Sequence, residues 1–130
     1  MPFIENVSFA DIKKAWHYDP GPNNLWICIV DPDMEFPEPR FPFKTSLKLK
    51  FLDLEEEDTK AITKEQANQI AVTLKQAFKN NTNIIVNCVM GVSRSGAIVE
   101  AALALGFEDT EKYRNPNIRV KSFIMEHLNA

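Results

Sequence analysis

The sequence has none of the features that would place the protein in a membrane, outside the cell or on nucleic acid. No apolar run is long enough to cross a bilayer, and the N-terminus lacks the basic and then apolar pattern of a secretory signal. The net charge is only −3, which gives no reason to expect nucleic acid or an anionic membrane as a partner. The sequence therefore predicts a cytoplasmic protein.

Cysteine and histidine are also scarce. Two cysteines do not make a disulfide framework, and they favour a reducing compartment. His17 and His127 form no ligand cluster with each other or with cysteine, so we expect no metal and no cofactor. Cys28 lies within the apolar run 25–30 and is interpreted as a small buried hydrophobic residue, with oxidative pairing to Cys88 as the less favoured alternative.

The order of the predicted elements indicates an α/β fold. The length of 130 residues suits one domain, which we place over 1–130. Apolar patterns predict strands over 3–9, 25–30, 46–54 and 84–86, and helices over 10–16, after the capping box of Thr63 and Gln66, from 97 towards the glycine at 106, and over 120–128. The proline-rich stretch 31–42 is predicted to be a long irregular loop. This order predicts a central, mostly parallel sheet flanked by helices, with the ligand site at the carboxyl ends of the strands.

The most informative segment is CVMGVSRS, residues 88–95, which lies between an apolar strand and a helix. A loop around a helix N-terminus presents backbone N–H groups and the positive end of the helix dipole to an anion. Gly91 can adopt a positive φ and bring the backbone close to that anion, and Arg94 can bind two phosphate oxygens at once. The segment therefore predicts a phosphate-binding loop, and its binding residues are Val89, Met90, Gly91, Val92, Ser93 and Arg94.

Cys88 adds a nucleophile to this loop. A helix N-terminus and a nearby cation favour the thiolate over the thiol, so we expect Cys88 to be substantially ionised at neutral pH. Ser95 can donate a hydrogen bond to the sulfur and make it a better leaving group when a cysteinyl-phosphate is hydrolysed. The residues themselves thus predict phosphate-ester chemistry.

This segment resembles the signature loop of the cysteine-dependent protein tyrosine and dual-specificity phosphatases. The Gly-x-Ser-Arg-Ser ending is the form typical of dual-specificity enzymes, and the resemblance extends more weakly from about Leu47 to the C-terminus. The run 115–117, Asn-Pro-Asn, is similar to compact dual-specificity-like proteins of bacteria and phages. In one departure, Asn87 precedes the cysteine where the family usually has histidine.

The resemblance implies a dual-specificity phosphatase-like fold and hydrolysis of phosphomonoesters through a cysteinyl-phosphate intermediate. It implies a phosphorylated protein or another phosphomonoester as substrate, and inorganic phosphate or vanadate as an active-site ligand. The short chain and the form of the loop favour a shallow pocket that also admits phosphoserine and phosphothreonine. The catalytic residues that we assign on this basis are Cys88, Arg94, Asp53 and Ser95.

The general acid has two candidates in the sequence. The leaving oxygen of a phosphomonoester must be protonated, and an Asp or Glu on a loop suits this role. The acidic run 53–58 follows a predicted strand, where dual-specificity phosphatases carry their acid. Asp53 aligns best, and Asp58 is the alternative. The rest of the run is interpreted as a solvated loop.

Other charged residues receive weaker interpretations. Asp31 and Asp33 follow the strand over 25–30 and could line the same edge of the sheet, although an Asx-turn or a helix cap explains them equally well. Arg114 and Arg119 could add positive charge near a substrate, but we favour a surface role for both.

Two alternatives to a phosphatase stay open. The first is a catalytically weak or inactive phosphate-binding module, which is motivated by Asn87 and by the unsettled acid. The second keeps the loop chemistry and changes the acceptor, as in sulfur transfer or arsenate reduction. The position of Ser95 and the helix that follows fit a phosphatase better.

Overall fold

The structure is a computed structural model that describes residues 1–14 and 20–129. These residues form the strands β1 (Phe3–Val7), β2 (Asn24–Val30), β3 (Thr45–Lys50), β4 (Asn83–Asn87) and β5 (Glu108–Asp109), and the helices α1 (Phe9–Ile12), α2 (Lys64–Lys79), α3 (Arg94–Leu103) and α4 (Ile118–Leu128). The chain is therefore an α/β protein, as the order of sequence patterns predicts.

The five strands form one sheet in the order β3-β2-β4-β1-β5, and all their pairings are parallel. Asn87, the last residue of β4, lies in register with Cys28 on one side and with Val7 on the other. The residues that follow β1, β2 and β4 therefore leave the sheet at the same edge. The mostly parallel sheet predicted from the sequence is confirmed.

The two faces of the sheet are covered differently. On one face, β-branched side chains of β2 and β4 join the apolar sides of α2, α3 and α4 in the larger core. On the other face, Trp26, Cys28 and Ile85 form a smaller cluster with Ile12 of α1. The predicted irregular loop, which has neither helix nor strand, packs the partly buried Met34 and Phe36 against this second cluster, and Phe43, just after the loop, joins them.

Helix α2 forms where the sequence predicts it. The Thr63 hydroxyl accepts from the Gln66 N–H at 3.1 Å, and the Thr63 N–H donates to the Gln66 side chain at 3.0 Å, which completes the capping box. The apolar residues at helical spacing, with Ile70 and Leu74 at the centre, are fully buried. No helix within residues 1–14 and 20–129 is long and apolar enough to cross a membrane.

The structure corrects several predicted boundaries. The first strand ends at Val7 rather than at residue 9, because the Ser8 hydroxyl caps α1 by accepting from the Asp11 N–H at 3.0 Å. The third strand ends at Lys50 rather than at residue 54, since the Leu52 N–H turns back to donate to the Lys60 carbonyl at 2.7 Å. The short strand β5 was not predicted, as its two residues are exposed and acidic.

The first helix is shorter than predicted, because it ends at Ile12 with Lys13 as its C-cap. It was placed over 10–16, whereas the structure shows helix over Phe9–Ile12. The end of the predicted helix, at residues 15 and 16, and His17 lie outside the described residues.

Candidate active site

The loop 88–93 connects β4 to α3, and its carbonyl oxygens are held by the surrounding segments. Four of them accept hydrogen bonds from outside the loop: Val89 O from Phe9 N at 3.0 Å, Gly91 O from Asn6 Nδ2 at 2.7 Å, Val92 O from Asn115 N at 3.1 Å and Ser93 O from Asn117 N at 3.0 Å. The donors come from the end of β1, the start of α1 and the segment before α4. The loop is thus fixed by neighbours that the topology brings to the same edge of the sheet.

These carbonyl contacts determine where the N–H groups of the loop point. In a trans peptide unit the C=O and the N–H point in opposite directions, and the loop contains no cis peptide bond. The N–H groups of Met90, Val92, Ser93 and Arg94 therefore point away from the supporting segments. Within the part of the chain that the structure describes, these four groups donate no hydrogen bond. Unpaired N–H groups of this kind beside the N-terminus of α3 are suited to an anion.

The nucleophile candidate lies inside this loop. Cys88 directly follows β4, and only 1% of it is exposed. Its Sγ is 3.1 Å from the Ser95 hydroxyl and accepts from the Gly91 N–H at 3.3 Å. The contact between Ser95 and the sulfur, predicted from the sequence, is present. The Gly91 N–H stabilises negative charge on the sulfur, and the Ser95 hydroxyl does the same when it is the donor of its hydrogen bond.

Arg94 is fixed on one side and unpaired on the other. It is 4% exposed, and its Nη1 donates to Asp31 Oδ1 and to the Phe51 carbonyl, each at 2.7 Å. Its Nε is buried and has no partner among the described residues. A buried guanidinium N–H without an acceptor is costly, so this atom is suited to a ligand oxygen.

The role of Asp31 is one that sequence reasoning underestimated. An Asx-turn accounts for Asp beside Pro locally, whereas the structure places the Asp31 carboxylate on Arg94 in an ion pair. Asp33 is exposed and has no comparable contact with the loop. Asp31 is 63 positions from Arg94 in the sequence, and no local sequence pattern predicts a contact over such a separation.

Gly91 meets two separate backbone requirements. Its φ is +75°, as the sequence predicts for this position. A Cβ here would also lie 2.4 Å from the Val7 carbonyl carbon and 2.5 Å from the Ser8 nitrogen. Glycine is therefore required because the loop backbone packs directly against the end of β1.

We expect Gly91→Ala to destabilise the protein by at least about 3 kcal/mol, because left-handed strain and a backbone clash add together. Gly21→Ala is the matched control, since Gly21 has a φ of +90° but its Cβ would find the nearest atom at 3.8 Å. That control should cost only about 1 kcal/mol. Urea unfolding of both variants measures the difference, and equal losses would refute the clash.

Asp53 reaches the loop although β3 ends earlier than predicted. Its Oδ1 accepts from the Ser93 hydroxyl at 2.8 Å and from Asn117 Nδ2 at 2.7 Å. Asp53 and Ser93 also line a cavity of about 300 Å³. Asp58, the alternative acid, is exposed and its carboxylate accepts from the Lys60 N–H at 2.8 Å. The structure therefore brings Asp53, and not Asp58, into contact with the loop.

Asn87, the residue before Cys88, has contacts on both atoms of its side-chain amide. It is fully buried, its Oδ1 accepts from the Trp26 indole N–H at 2.7 Å, and its Nδ2 donates to the Cys88 carbonyl at 3.4 Å. The side chain thus holds the backbone of Cys88 rather than its sulfur.

Burial raises the pKa of the neighbouring Cys28 to about 12, so that thiol stays protonated.

The two cysteines belong to different apolar clusters on opposite faces of the sheet. Cys28 packs in the smaller cluster and Cys88 in the larger core, and both are free thiols. This arrangement argues against the oxidative pairing that was the less favoured interpretation of Cys28.

Two asparagines of the site were not assigned a role from the sequence. Asn6 is buried in β1, and its Nδ2 bridges the carbonyls of Gly91 and Tyr113, the latter at 3.0 Å. Asn117 was noted only as part of the resemblance, yet it joins Asp53 to the loop. For Asn6, the available signal was a polar side chain within a predicted strand, where Glu5 precedes it.

Arg114 and Arg119 have structural contacts. The Arg114 guanidinium binds Glu100 at 2.6 Å and Asp109 at 3.0 Å, and it holds the pKa of both carboxyls below their usual range. Arg119 lies over the Phe123 ring at 4.3 Å. Neither contact is with the loop 88–93, and both side chains are partly buried, so the surface role that the sequence favoured stays a prediction.

No protein-family model matches the sequence, and no curated protein matches it. Several solved structures resemble the fold, and two of them are dual-specificity phosphatase-like proteins. The human tyrosine phosphatase-like serine/threonine/tyrosine-interacting protein aligns with a TM-score of 0.64 at 19% identity, over 97% of this chain and 91% of that chain. The present 130-residue chain has a dual-specificity phosphatase-like fold. A mouse putative dual specificity phosphatase, solved as a complex with zinc tungstate, aligns with a TM-score of 0.50 at 16% identity, over 82% of this chain and 71% of that chain.

The dual-specificity phosphatase-like fold agrees with the resemblance of the loop. At these identities the two structures establish the architecture alone. What this chain does must therefore be argued from its own site.

Proposed function

We propose that this protein is a cysteine-dependent phosphomonoester hydrolase of the protein tyrosine and dual-specificity phosphatase type. One observation carries the proposal: Cys88 Sγ lies in a loop whose four inward N–H groups, and the buried Nε of Arg94, have no partner within the described residues. A phosphate monoester supplies both: its oxygens are the missing hydrogen-bond acceptors, and its phosphorus is the electrophile. We further propose that residues 1–130 form a single phosphatase domain that acts in the cytoplasm, where Cys88 stays reduced.

The first step transfers the phosphoryl group to the enzyme. The Cys88 thiolate attacks phosphorus, the P–S bond forms, and the bond between phosphorus and the ester oxygen breaks. Asp53 gives its proton to the departing oxygen, so that a neutral alcohol or phenol leaves. Arg94 and the loop N–H groups bind the phosphoryl oxygens on which charge develops.

The second step regenerates the enzyme. Asp53, now a carboxylate, takes a proton from a water molecule as that water attacks phosphorus. The P–S bond breaks, and the Ser95 hydroxyl stabilises the departing thiolate from its position 3.1 Å away. Inorganic phosphate leaves, and Asp53 holds the proton for the next cycle.

The side chains of the loop favour a substrate with one phosphate on an apolar group. Val89, Met90 and Val92 are apolar, and Arg94 is the only cation in the segment 88–95. Met90 is 75% exposed and offers an apolar contact beside the loop. We infer a phosphorylated protein side chain as substrate rather than a polyanion, which would need more positive charge. The tungstate in the mouse structure supports vanadate and phosphate as ligands here.

Hydrolysis of p-nitrophenyl phosphate, inhibited by vanadate, is the direct test. Phosphotyrosine, phosphoserine and phosphothreonine peptides should follow, with an inositol polyphosphate as the polyanionic comparison. Activity on phosphotyrosine alone would contradict the shallow pocket expected from the sequence. Preference for the inositol polyphosphate would contradict the inferred substrate class.

We expect Asp53→Asn to lower kcat/KM on phenyl phosphate by about 10²- to 10³-fold, since the amide cannot deliver a proton to the leaving oxygen. Vanadate inhibition should persist, because the loop and Arg94 are unchanged. Asp58→Asn is the matched control and should retain the wild-type rate. A loss confined to Asp58→Asn would transfer the role of acid to that residue.

A phosphate-binding module without turnover is the second candidate. The human protein with a similar fold is named a phosphatase-like interacting protein, and this motivates the second candidate. Binding of a phosphopeptide by the wild-type protein, with no hydrolysis of any substrate above, would select this function. The loop would then serve recognition, and Cys88 would be dispensable for it.

A further inference from the structure

Asn117 connects three parts of the site. As the N-cap of α4, its Oδ1 accepts from the Val120 N–H at 3.0 Å. Its backbone N–H donates to the Ser93 carbonyl at 3.0 Å, and its Nδ2 donates to Asp53 Oδ1 at 2.7 Å and to the Leu54 carbonyl at 3.2 Å. The residue is 2% exposed. One residue thus joins three parts of the site: its side chain contacts the start of α4 and the segment that carries Asp53, and its backbone N–H contacts the loop.

The two hydrogen bonds to Asp53 fall on the same oxygen. Ser93 Oγ and Asn117 Nδ2 both donate to Oδ1, at 2.8 and 2.7 Å. Among the described residues, no donor reaches Oδ2. A protonated carboxyl carries its proton on one oxygen and accepts on the other. Oδ2 is therefore the oxygen left to hold the proton.

Asp53 has few other restraints. It is exposed, and it lies in the loop after β3 rather than in a strand or helix. A side chain in that setting loses reaction rate if it samples several rotamers, because proton transfer needs one geometry. Ser93 Oγ is a single rotating donor, whereas the Asn117 amide is planar and fixed by the start of α4.

We propose that Asn117 is a positioning residue for proton transfer: it holds the Asp53 carboxyl against Ser93 through Oδ1 and leaves Oδ2 to carry the catalytic proton. This rests on the proposed hydrolase function. A residue that positions the general acid affects the reaction rate most on substrates whose leaving group must be protonated. Its effect must therefore depend on the substrate, which a general loss of structure does not explain.

The test is Asn117→Ser, measured as kcat/KM on phenyl phosphate and p-nitrophenyl phosphate. Serine is a good N-cap, so α4 keeps its cap, but serine is too short to reach Asp53. Phenolate is a poor leaving group and p-nitrophenolate is a good one. We expect a loss of about 10- to 100-fold on phenyl phosphate and of less than about 3-fold on p-nitrophenyl phosphate. Asn68→Ser, at an exposed position of α2, is the matched control and should change neither rate.

A double-mutant cycle separates positioning from structural support. In the Asp53→Asn background there is no proton to position, so Asn117→Ser should cause no further loss on phenyl phosphate. If Asn117→Ser does not fold, Asn117→Asp replaces it, since aspartate also caps the helix but repels the Asp53 carboxylate. The same dependence on the leaving group is expected from that variant.

Each remaining outcome overturns the proposal in a distinguishable way. Equal losses on the two substrates, no loss on either, or an undiminished loss in the Asp53→Asn background would each reject positioning while leaving the hydrolase function intact. If the wild-type protein shows no hydrolysis that depends on Cys88, the proposed function is rejected, and the role of Asn117 with it.

Discussion

Cys88→Ser is expected to lower the hydrolysis of p-nitrophenyl phosphate by at least about 10⁴-fold. A serine hydroxyl is not ionised at neutral pH, and it lacks the nucleophilicity of a thiolate held by the Gly91 N–H and the Ser95 hydroxyl. The change from sulfur to oxygen leaves the loop, Arg94 and the N–H groups in place. Vanadate binding should therefore survive, and circular dichroism should show an unchanged fold.

Cys28→Ser is the matched control for this prediction, because it makes the same atomic change on the opposite face of the sheet. Burial raises the pKa of the Cys28 thiol to about 12, so Cys28 is a thiol and not a nucleophile at neutral pH. Activity per folded molecule should stay near the wild-type value. Equal losses in the two variants would show that the effect comes from packing rather than from chemistry at Cys88.

Arg94→Lys is expected to lower kcat/KM by about 10²- to 10⁴-fold, with a similar loss of vanadate affinity. Lysine keeps the positive charge but loses the planar pair of donors, and each hydrogen bond to a charged group contributes about 1.5–3 kcal/mol. The buried Nε, which has no partner within the described residues, is one of the donors removed. The measurements are steady-state kinetics and competition by vanadate.

Asp31→Asn refines the interpretation of Arg94. The Asp31 carboxylate and the Phe51 carbonyl hold Nη1, each at 2.7 Å, and so orient the guanidinium. An amide oxygen can still accept from Nη1, so the expected loss of kcat/KM is only about 10-fold.

If Arg94→Lys bound vanadate within about 3-fold of wild type, Arg94 would not be the residue that binds the oxyanion.

The parts of the site that the sequence predicts are those encoded within a few neighbouring residues. The loop 88–95 carries its nucleophile, glycine and arginine within eight positions, and the strand and helix on either side follow from short apolar patterns. Helix α2 was predictable because its capping box and apolar spacing are both local. The α/β class followed from the order of such segments.

The residues that sequence reasoning missed act over long separations. Asn6 reaches Gly91 across 85 positions, Asp31 reaches Arg94 across 63, and Asn117 reaches Asp53 across 64. Each of them is explained equally well by a local turn, cap or strand until the sheet order is known. The end of β3 was misplaced for a related reason, since the hydrogen bond from Leu52 to Lys60 ends the strand without a change in apolar pattern.

The most direct test of the central claim is to trap the intermediate. Wild-type protein is mixed with p-nitrophenyl phosphate, quenched in denaturant within the first turnovers, digested and examined by mass spectrometry. We predict one added phosphoryl group on the peptide that contains Cys88, and none in Cys88→Ser. Turnover without a phosphorylated peptide, or a phosphoryl group on another residue, would contradict a cysteinyl-phosphate mechanism at this loop.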